Sequence, residues 1–223
     1  MTEDGCYTIG FSGVDGSGKS TQAQRLADWL TDAGVDVFLT KSQPRAISSI
    51  FRLSERLFGD PYAYHPAVPA TLREILVASD LEGHHHSVVR PNRRKGRIII
   101  LDRCKYCYDT YARSYGADMA WIEKVYALVS DPDMIFLLDV PGDVAFARLL
   151  RRSHKPPKSD ESAAFLETVR QHYLMRATLL SNLVIVDGED DPDQVTESIR
   201  RYVLEHVPLS VGPSPRGRAE DLV

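Results

Sequence analysis

Long apolar runs are missing from this chain: no stretch of its 223 residues approaches the roughly 20 that span a bilayer, and Met1 to Cys6 carries two acids and no signal-like apolar core. A soluble, cytoplasmic protein with no membrane partner is expected. Cysteine is scarce. Three of them, Cys6, Cys104 and Cys107, are an odd number in a chain long enough to build its own core, which argues against a disulfide framework. An excess of positive charge is absent as well. The 27 Lys and Arg against 31 Asp and Glu leave a formal charge of −4, which argues against a nucleic-acid partner and requires that any acidic ligand be met by local cations. Nor is there length for two average domains. With 43% hydrophobic residues the chain suits one core, so a single domain over 1–207 is expected. From Pro208 the composition turns to Pro, Gly, Ser and Arg, and 208–223 reads as a flexible tail. No internal repeat is present.

What the chain has is alternation. Tyr7 to Phe11 is short, β-branched and aromatic, and after a glycine-rich turn Thr21 to Ala33 shows the spacing of an amphipathic helix closed by Gly34. Val35 to Thr40 reads as a strand, and Ile47 to Pro91 as mostly helical with a break at Gly59-Asp60-Pro61. The unbroken Arg97 to Leu101 reads as a strand buried on both faces. Helices are expected at 106–113, 119–129, 144–152, 163–180 and up to about 205, with strands at 134–138 and 183–186. The sum is an α/β doubly wound domain with a mostly parallel sheet of about five strands. Trp29 and Trp121 fall in apolar helical patterns and are expected in the core. Cys104-Lys105-Tyr106-Cys107 has no second pair for zinc, and His84-His85-His86 points around a helix, so neither is read as a metal site.

Gly13-Val14-Asp15-Gly16-Ser17-Gly18-Lys19-Ser20 fits G-x-x-x-x-G-K-[ST] and lies between a predicted strand and a predicted helix. Gly13, Gly16 and Gly18 let the backbone curl so that N–H groups of the loop, Ser17 among them, point at a polyphosphate, and the helix adds the positive end of its dipole. Lys19 is placed to reach the β and γ phosphates and the Ser20 hydroxyl to bind Mg²⁺, with Thr21 beside them among the expected ATP-binding residues. The run Ile98 to Leu101 ends in Asp102 at the carboxyl edge of the sheet, a second candidate for the metal. No N-K-x-D guanine motif is present, Asp80-Leu81-Glu82-Gly83 sits inside a helical pattern, and Arg103 rather than glutamate follows Asp102. Among P-loop proteins, a kinase is the reading that survives.

Phe11-Ser12-Gly13-Val14-Asp15-Gly16-Ser17-Gly18-Lys19-Ser20-Thr21-Gln22 resembles the F-E-G-x-D-G-x-G-K-S-T-Q opening of thymidylate kinases. Asp102-Arg103 followed by Tyr111 is similar to that family's D-R-x(7)-Y. Asp131-Pro132-Asp133 with Leu137-Leu138-Asp139-Val140 resembles its P-D-x-x-x-x-L-D-V, and Phe165 to Arg170 with Tyr173 its F-x-x-V-R-x-x-Y. The resemblance covers about residues 7–205.

It implies an ATP- and Mg²⁺-dependent kinase acting on a nucleoside monophosphate, with dTMP the leading acceptor. Carried over, it implies that Asp15 lies near acceptor and metal, and that Arg103 and Arg45 grip the acceptor phosphate. It also implies that Tyr111 disfavours a ribose 2′-hydroxyl. A basic lid over ATP is implied at about 148–160, with Arg148, Arg151 and Arg152 facing the nucleotide. A homodimer through helices of the middle region is a further implication. Gln43 and Tyr108 stand at positions that meet the acceptor in the family, and Val77 and Leu81 stand where the family carries an aromatic and an arginine against the base. Those departures leave two alternatives open: a kinase of the same architecture with a different small acceptor, and a nucleotide-binding regulatory module.

Overall fold

The computed structural model describes residues 5–42, 45–60, 68–152 and 162–209. Five strands, β1 (Tyr7–Ser12), β2 (Val37–Thr40), β3 (Ile98–Asp102), β4 (Met134–Asp139) and β5 (Leu183–Asp187), form one sheet in the order β2-β3-β1-β4-β5. Every pairing is parallel. The helices are α1 (Lys19–Asp32), α2 (Arg45–Phe58), α3 (Ala70–His84), α4 (Lys105–Ser114), α5 (Met119–Tyr126), α6 (Gly142–Arg152), α7 (Ala163–Ala177) and α8 (Pro192–His206). The doubly wound α/β expectation holds.

Alternation along each strand divides the core. Ile9, Phe11, Ile98, Ile100, Phe136 and Leu138 face α1 and α8, where Leu26, Leu30, Ile199 and Val203 complete one buried layer. Val14 and Leu137 face the other way, onto Ala145 and Leu149 of α6 and Leu166, Val169 and Tyr173 of α7. A third cluster joins α2 to α5 through Ile47, Val77, Leu81, Tyr108 and Ile122. Three helix starts follow the capping chemistry. Asp118, Ser162 and Asp191 each accept a backbone N–H of the first turn, and Pro192 opens α8.

The segment read as helical from Ile47 to Pro91 is α2 and α3, followed by a π turn (His85–Val89) and a 3-10 turn (Arg90–Asn92). Asp80 to Gly83 lies within α3. The expected strand from Val35 becomes regular only at Val37: the Val35 N–H is still used by the end of α1, donating to the Leu30 carbonyl at 3.0 Å, and the Asp36 side chain accepts hydrogen bonds from Arg94 and Arg97. Helix α7 ends at Ala177 rather than Leu180.

Trp121 is a correction. It is 61% exposed, because α5 buries Ile122 and Tyr126, one turn apart, and turns the neighbouring Trp121 outward under Lys124. Trp29 does pack, partly buried, against the α1/α8 layer. The cysteines Cys6, Cys104 and Cys107 are buried and free. Among the described residues no helix is long and apolar enough to cross a membrane. Of the expected lid only Arg148 to Arg152, the end of α6, is described. Of the expected tail only Pro208 and Leu209 are, and Leu209 packs against the core.

Candidate active site

Strand order puts β1 at the point where the connections change direction, with β3 on one side and β4 on the other. A crevice outside the carboxyl ends of the strands is where this architecture binds ligands. The loop from Gly13 to Gly18 leaves β1 there. Gly16 has φ +89°, and a Cβ at this position would lie 2.4 Å from the Ala145 carbonyl oxygen, so the loop can pack on α6 only with glycine here. Gly18, at φ +95°, caps α1 in the left-handed region.

Lys19 is buried at the start of α1. Its Nζ donates to the Gly13 and Val14 carbonyls at 2.9 and 2.7 Å and lies 3.8 Å from Asp15. Burial, and then the neighbouring Arg103, bring its pKa down to about 8, with Asp15 partly offsetting both. The Asp15 carboxylate pairs with Arg103, and the Asp15 backbone N–H donates to the Tyr111 hydroxyl at 2.9 Å. Arg103 is the only described non-glycine residue with positive φ, at 79°. That conformation aims its guanidinium back over β1 toward the loop, and backbone strain of this kind concentrates at functional sites.

Asp102 sits opposite Phe11 in the β1/β3 register, level with the start of the loop. Its Oδ2 lies 2.7 Å from Lys41 Nζ, and the same ammonium donates to Ser20 Oγ at 2.9 Å. Asp102 Oδ1 is buried with no hydrogen-bond partner. One hydroxyl and one carboxylate therefore already share a cation, and a further carboxylate oxygen is left over. That donor set suits Mg²⁺, which is usually held by one or two carboxylates with the remaining positions filled by phosphate oxygens and water. Among the described residues no cluster of three or more His, Cys, Asp or Glu offers an all-protein cage.

Beneath the loop, Ser12 Oγ lies 3.3 and 3.4 Å from the thiols of Cys104 and Cys107. Burial opposes ionisation of Cys107, but the Cys104 hydrogen bond and the Arg103 and Lys19 charges outweigh it and pull its pKa down. Cys104 is pushed up, first by its hydrogen bond with Cys107 and then by burial.

The structure thus brings Asp15, Lys19, Ser20, Asp102, Arg103 and Tyr111 together. Val77 and Tyr108 lie in the buried cluster behind them with Leu81, and the Tyr108 hydroxyl donates to the Ser42 carbonyl at 2.8 Å. Arg148 donates to the Gly188 carbonyl at 2.8 Å, while Arg151 and Arg152 are exposed at the end of α6. Thr21 is exposed on α1; Gln43 lies outside the described residues, and Arg45 opens α2. Two residues were missed in the sequence, Lys41 at the site and Arg73 as a buried charge on α3. Lys41 follows the last residue of β2, and its only local signal is a cation at a strand's carboxyl end. Arg73 is buried one turn before Val77 on α3, with its guanidinium 5.6 Å from the Tyr115 ring centroid. A charge inside the apolar stripe of α3 was its signal.

A thymidylate kinase family model matches residues 11–199. A probable thymidylate kinase of Thermococcus onnurineus is 32% identical over 200 residues, covering 89% of this chain and 97% of its own length. A thymidylate kinase of Thermosipho melanesiensis is 30% identical over 207 residues, covering 89% and 99%. A probable thymidylate kinase of Pyrococcus abyssi is 29% identical over 198 residues, covering 86% and 93%.

Proposed function

The chain belongs to the thymidylate kinase family and is an ATP-dependent phosphotransferase of the nucleoside monophosphate kinase type, and from that premise we propose that its acceptor is dTMP and its donor ATP with Mg²⁺. The convergence of Lys19, Ser20, Asp102 and the Asp15–Arg103 pair at the carboxyl ends of β1 and β3 carries this reading. Ser20 and Asp102 would hold Mg²⁺, which when bound neutralises charge on the β and γ phosphates. The loop from Gly13 to Ser20 binds the phosphates through backbone N–H groups and the α1 dipole. Lys19 balances the charge that develops on the transferred phosphoryl group. Arg103 and Arg45 hold the acceptor phosphate, and Asp15 fixes the Arg103 fork in line with the donor. Tyr111 stands beside the sugar, and Val77 and Tyr108 line the acceptor side. Arg148, Arg151 and Arg152 bring further cations and close the donor against water.

One observation favours a second acceptor class. Val77 and Leu81 are buried apolar residues where the family's base contacts are an aromatic and an arginine, and a site without its polar partner loses discrimination. The test is ADP release with ATP across nucleoside monophosphates and small phosphorylated metabolites. The highest kcat/KM is expected with dTMP, and Lys19→Ala should lower it by about a hundredfold or more. A preferred acceptor that lacks thymine would replace dTMP and leave the kinase chemistry standing. We read the enzyme as cytoplasmic and homodimeric through α2 and α3, where Leu53, Leu57, Phe58 and Leu72 are exposed.

A further inference from the structure

We propose that Lys41 is a built-in counter-cation for the metal pair: its ammonium occupies the position between Ser20 and Asp102 until Mg²⁺ arrives with the nucleotide and displaces it. The geometry is specific. Lys41 Nζ lies 2.9 Å from Ser20 Oγ and 2.7 Å from Asp102 Oδ2, so the two oxygens read as metal ligands already converge on one positive charge. These oxygens come from α1 and β3, and the lysine comes from the end of neighbouring β2, paired with β3 through Thr40 and Leu101. The ammonium supplies one charge and leaves Asp102 Oδ1 buried without a partner, so the carboxylate keeps acceptor capacity that Mg²⁺ and its water ligands would use.

Lys41 is 40% exposed, so its side chain can swing into solvent without disturbing the core. Mg²⁺ alone must expel a cation and gains few ligands. Mg²⁺ with ATP brings phosphate oxygens that complete its shell and negative charge that welcomes the released ammonium. The side chain therefore makes metal and nucleotide bind together rather than separately, which is a coupling free energy between the two ligands.

The inference rests on the reading of Ser20 and Asp102 as the metal pair, and Mn²⁺ binding followed by paramagnetic resonance separates the two. Lys41→Gln is expected to raise the affinity of the nucleotide-free protein for Mn²⁺ by about tenfold, because a unit positive charge at contact distance is removed. Lys41→Arg, which keeps the charge, should stay near wild type. The gain should vanish in Lys41→Gln combined with Asp102→Asn. In the wild-type chain, saturating Mn²⁺ without nucleotide should increase acylation of the Lys41 amine relative to that of Lys95, a readout that needs no variant. Unchanged Mn²⁺ affinity in Lys41→Gln, or unchanged Lys41 labelling, overturns the counter-cation role even if ATP still recruits Mn²⁺ through Asp102. If Asp102→Asn leaves Mn²⁺ binding unaltered with and without ATP, the metal pair itself is wrong and the proposal falls with it.

Discussion

A buried ammonium that hydrogen-bonds only to backbone and neighbouring side chains is held at a cost, and Lys19 shows it in a pKa brought down to about 8 by burial and by Arg103. Because the folded value lies below that of an unfolded lysine, this group weighs against stability below pH 8. The penalty is relieved as pH rises from 8 toward 10.5. Nucleotide binding runs the other way. Phosphate oxygens favour the charged form, so above pH 8 the free protein must take up a proton to bind ATP, and affinity should fall by up to about tenfold per pH unit. Titration of a fluorescent ATP analogue from neutral to alkaline pH checks this; Lys19→Met should bind weakly with a flat profile. Arg103 carries a second residue-scale expectation. At φ 79° an L side chain costs about 1 kcal/mol that glycine avoids, so Arg103→Gly should be more stable than Arg103→Ala by roughly that amount. Both variants should raise the acceptor KM and leave ATP affinity near wild type. Denaturant melts and paired kinetics give the two readouts, and a loss confined to ATP affinity would move Arg103 to the donor side.

At the scale of elements, the phosphate loop is a contact between β1 and α6 as much as a binding motif. A Cβ on Gly16 would sit 2.4 Å from the Ala145 carbonyl, so Gly16→Ala must drive α6 away from the loop. Gly18→Ala meets nothing within 4 Å and pays only for its backbone conformation. Gly16→Ala should therefore cost about 1–3 kcal/mol more than Gly18→Ala in urea unfolding and also displace Arg148 to Arg152. Equal costs would show that the loop does not bear on α6. Much of this was legible along the chain. Parallel strands buried on both faces write themselves as Ile98-Ile99-Ile100-Leu101, and the loop, Asp102 and Arg103 are adjacent to strand ends, so local pattern located them. What was not legible depends on neighbours distant in sequence. Lys41 meets Asp102 only because β2 lies beside β3, and Arg73 turns inward only because α3 packs on α4 and α5. Trp121 has a helical apolar pattern whose phase is fixed by Ile122 and Tyr126, and pattern alone does not say which stripe faces in.

For the whole molecule, the sheet and its helical layers close most apolar surface, and α2 adds Ile47 to it, but another face of α2 is left outside that closure. Leu53, Leu57 and Phe58 are 56%, 63% and 68% exposed, and Leu53 and Leu57 lie one turn apart on a single face. Leu72 of α3, a helix packed against α2, is 56% exposed. Large apolar side chains exposed together on a helix face mark an interaction site, and a second copy of the chain is the partner we propose. The other end of α2 begins at Arg45, assigned above to the acceptor phosphate, so an interface that holds α2 also fixes where that helix begins. A stable dimer requires about 800 Å² from each partner, which one helix face and its neighbour can supply. Leu53→Glu combined with Leu57→Glu should weaken association by about a hundredfold or more, read by sedimentation velocity, because two anchors are replaced by like charges facing each other across a two-fold axis. Leu179→Glu, at a position 79% exposed beyond the end of α7, should leave the dimer intact. The monomeric variant should bind ATP normally, since Lys19, Ser20 and Asp102 stand on β1, α1 and β3, and should lose kcat/KM for the acceptor. A variant that remains dimeric would place the interface elsewhere. One that becomes monomeric with acceptor use unchanged would separate α2 from the acceptor site.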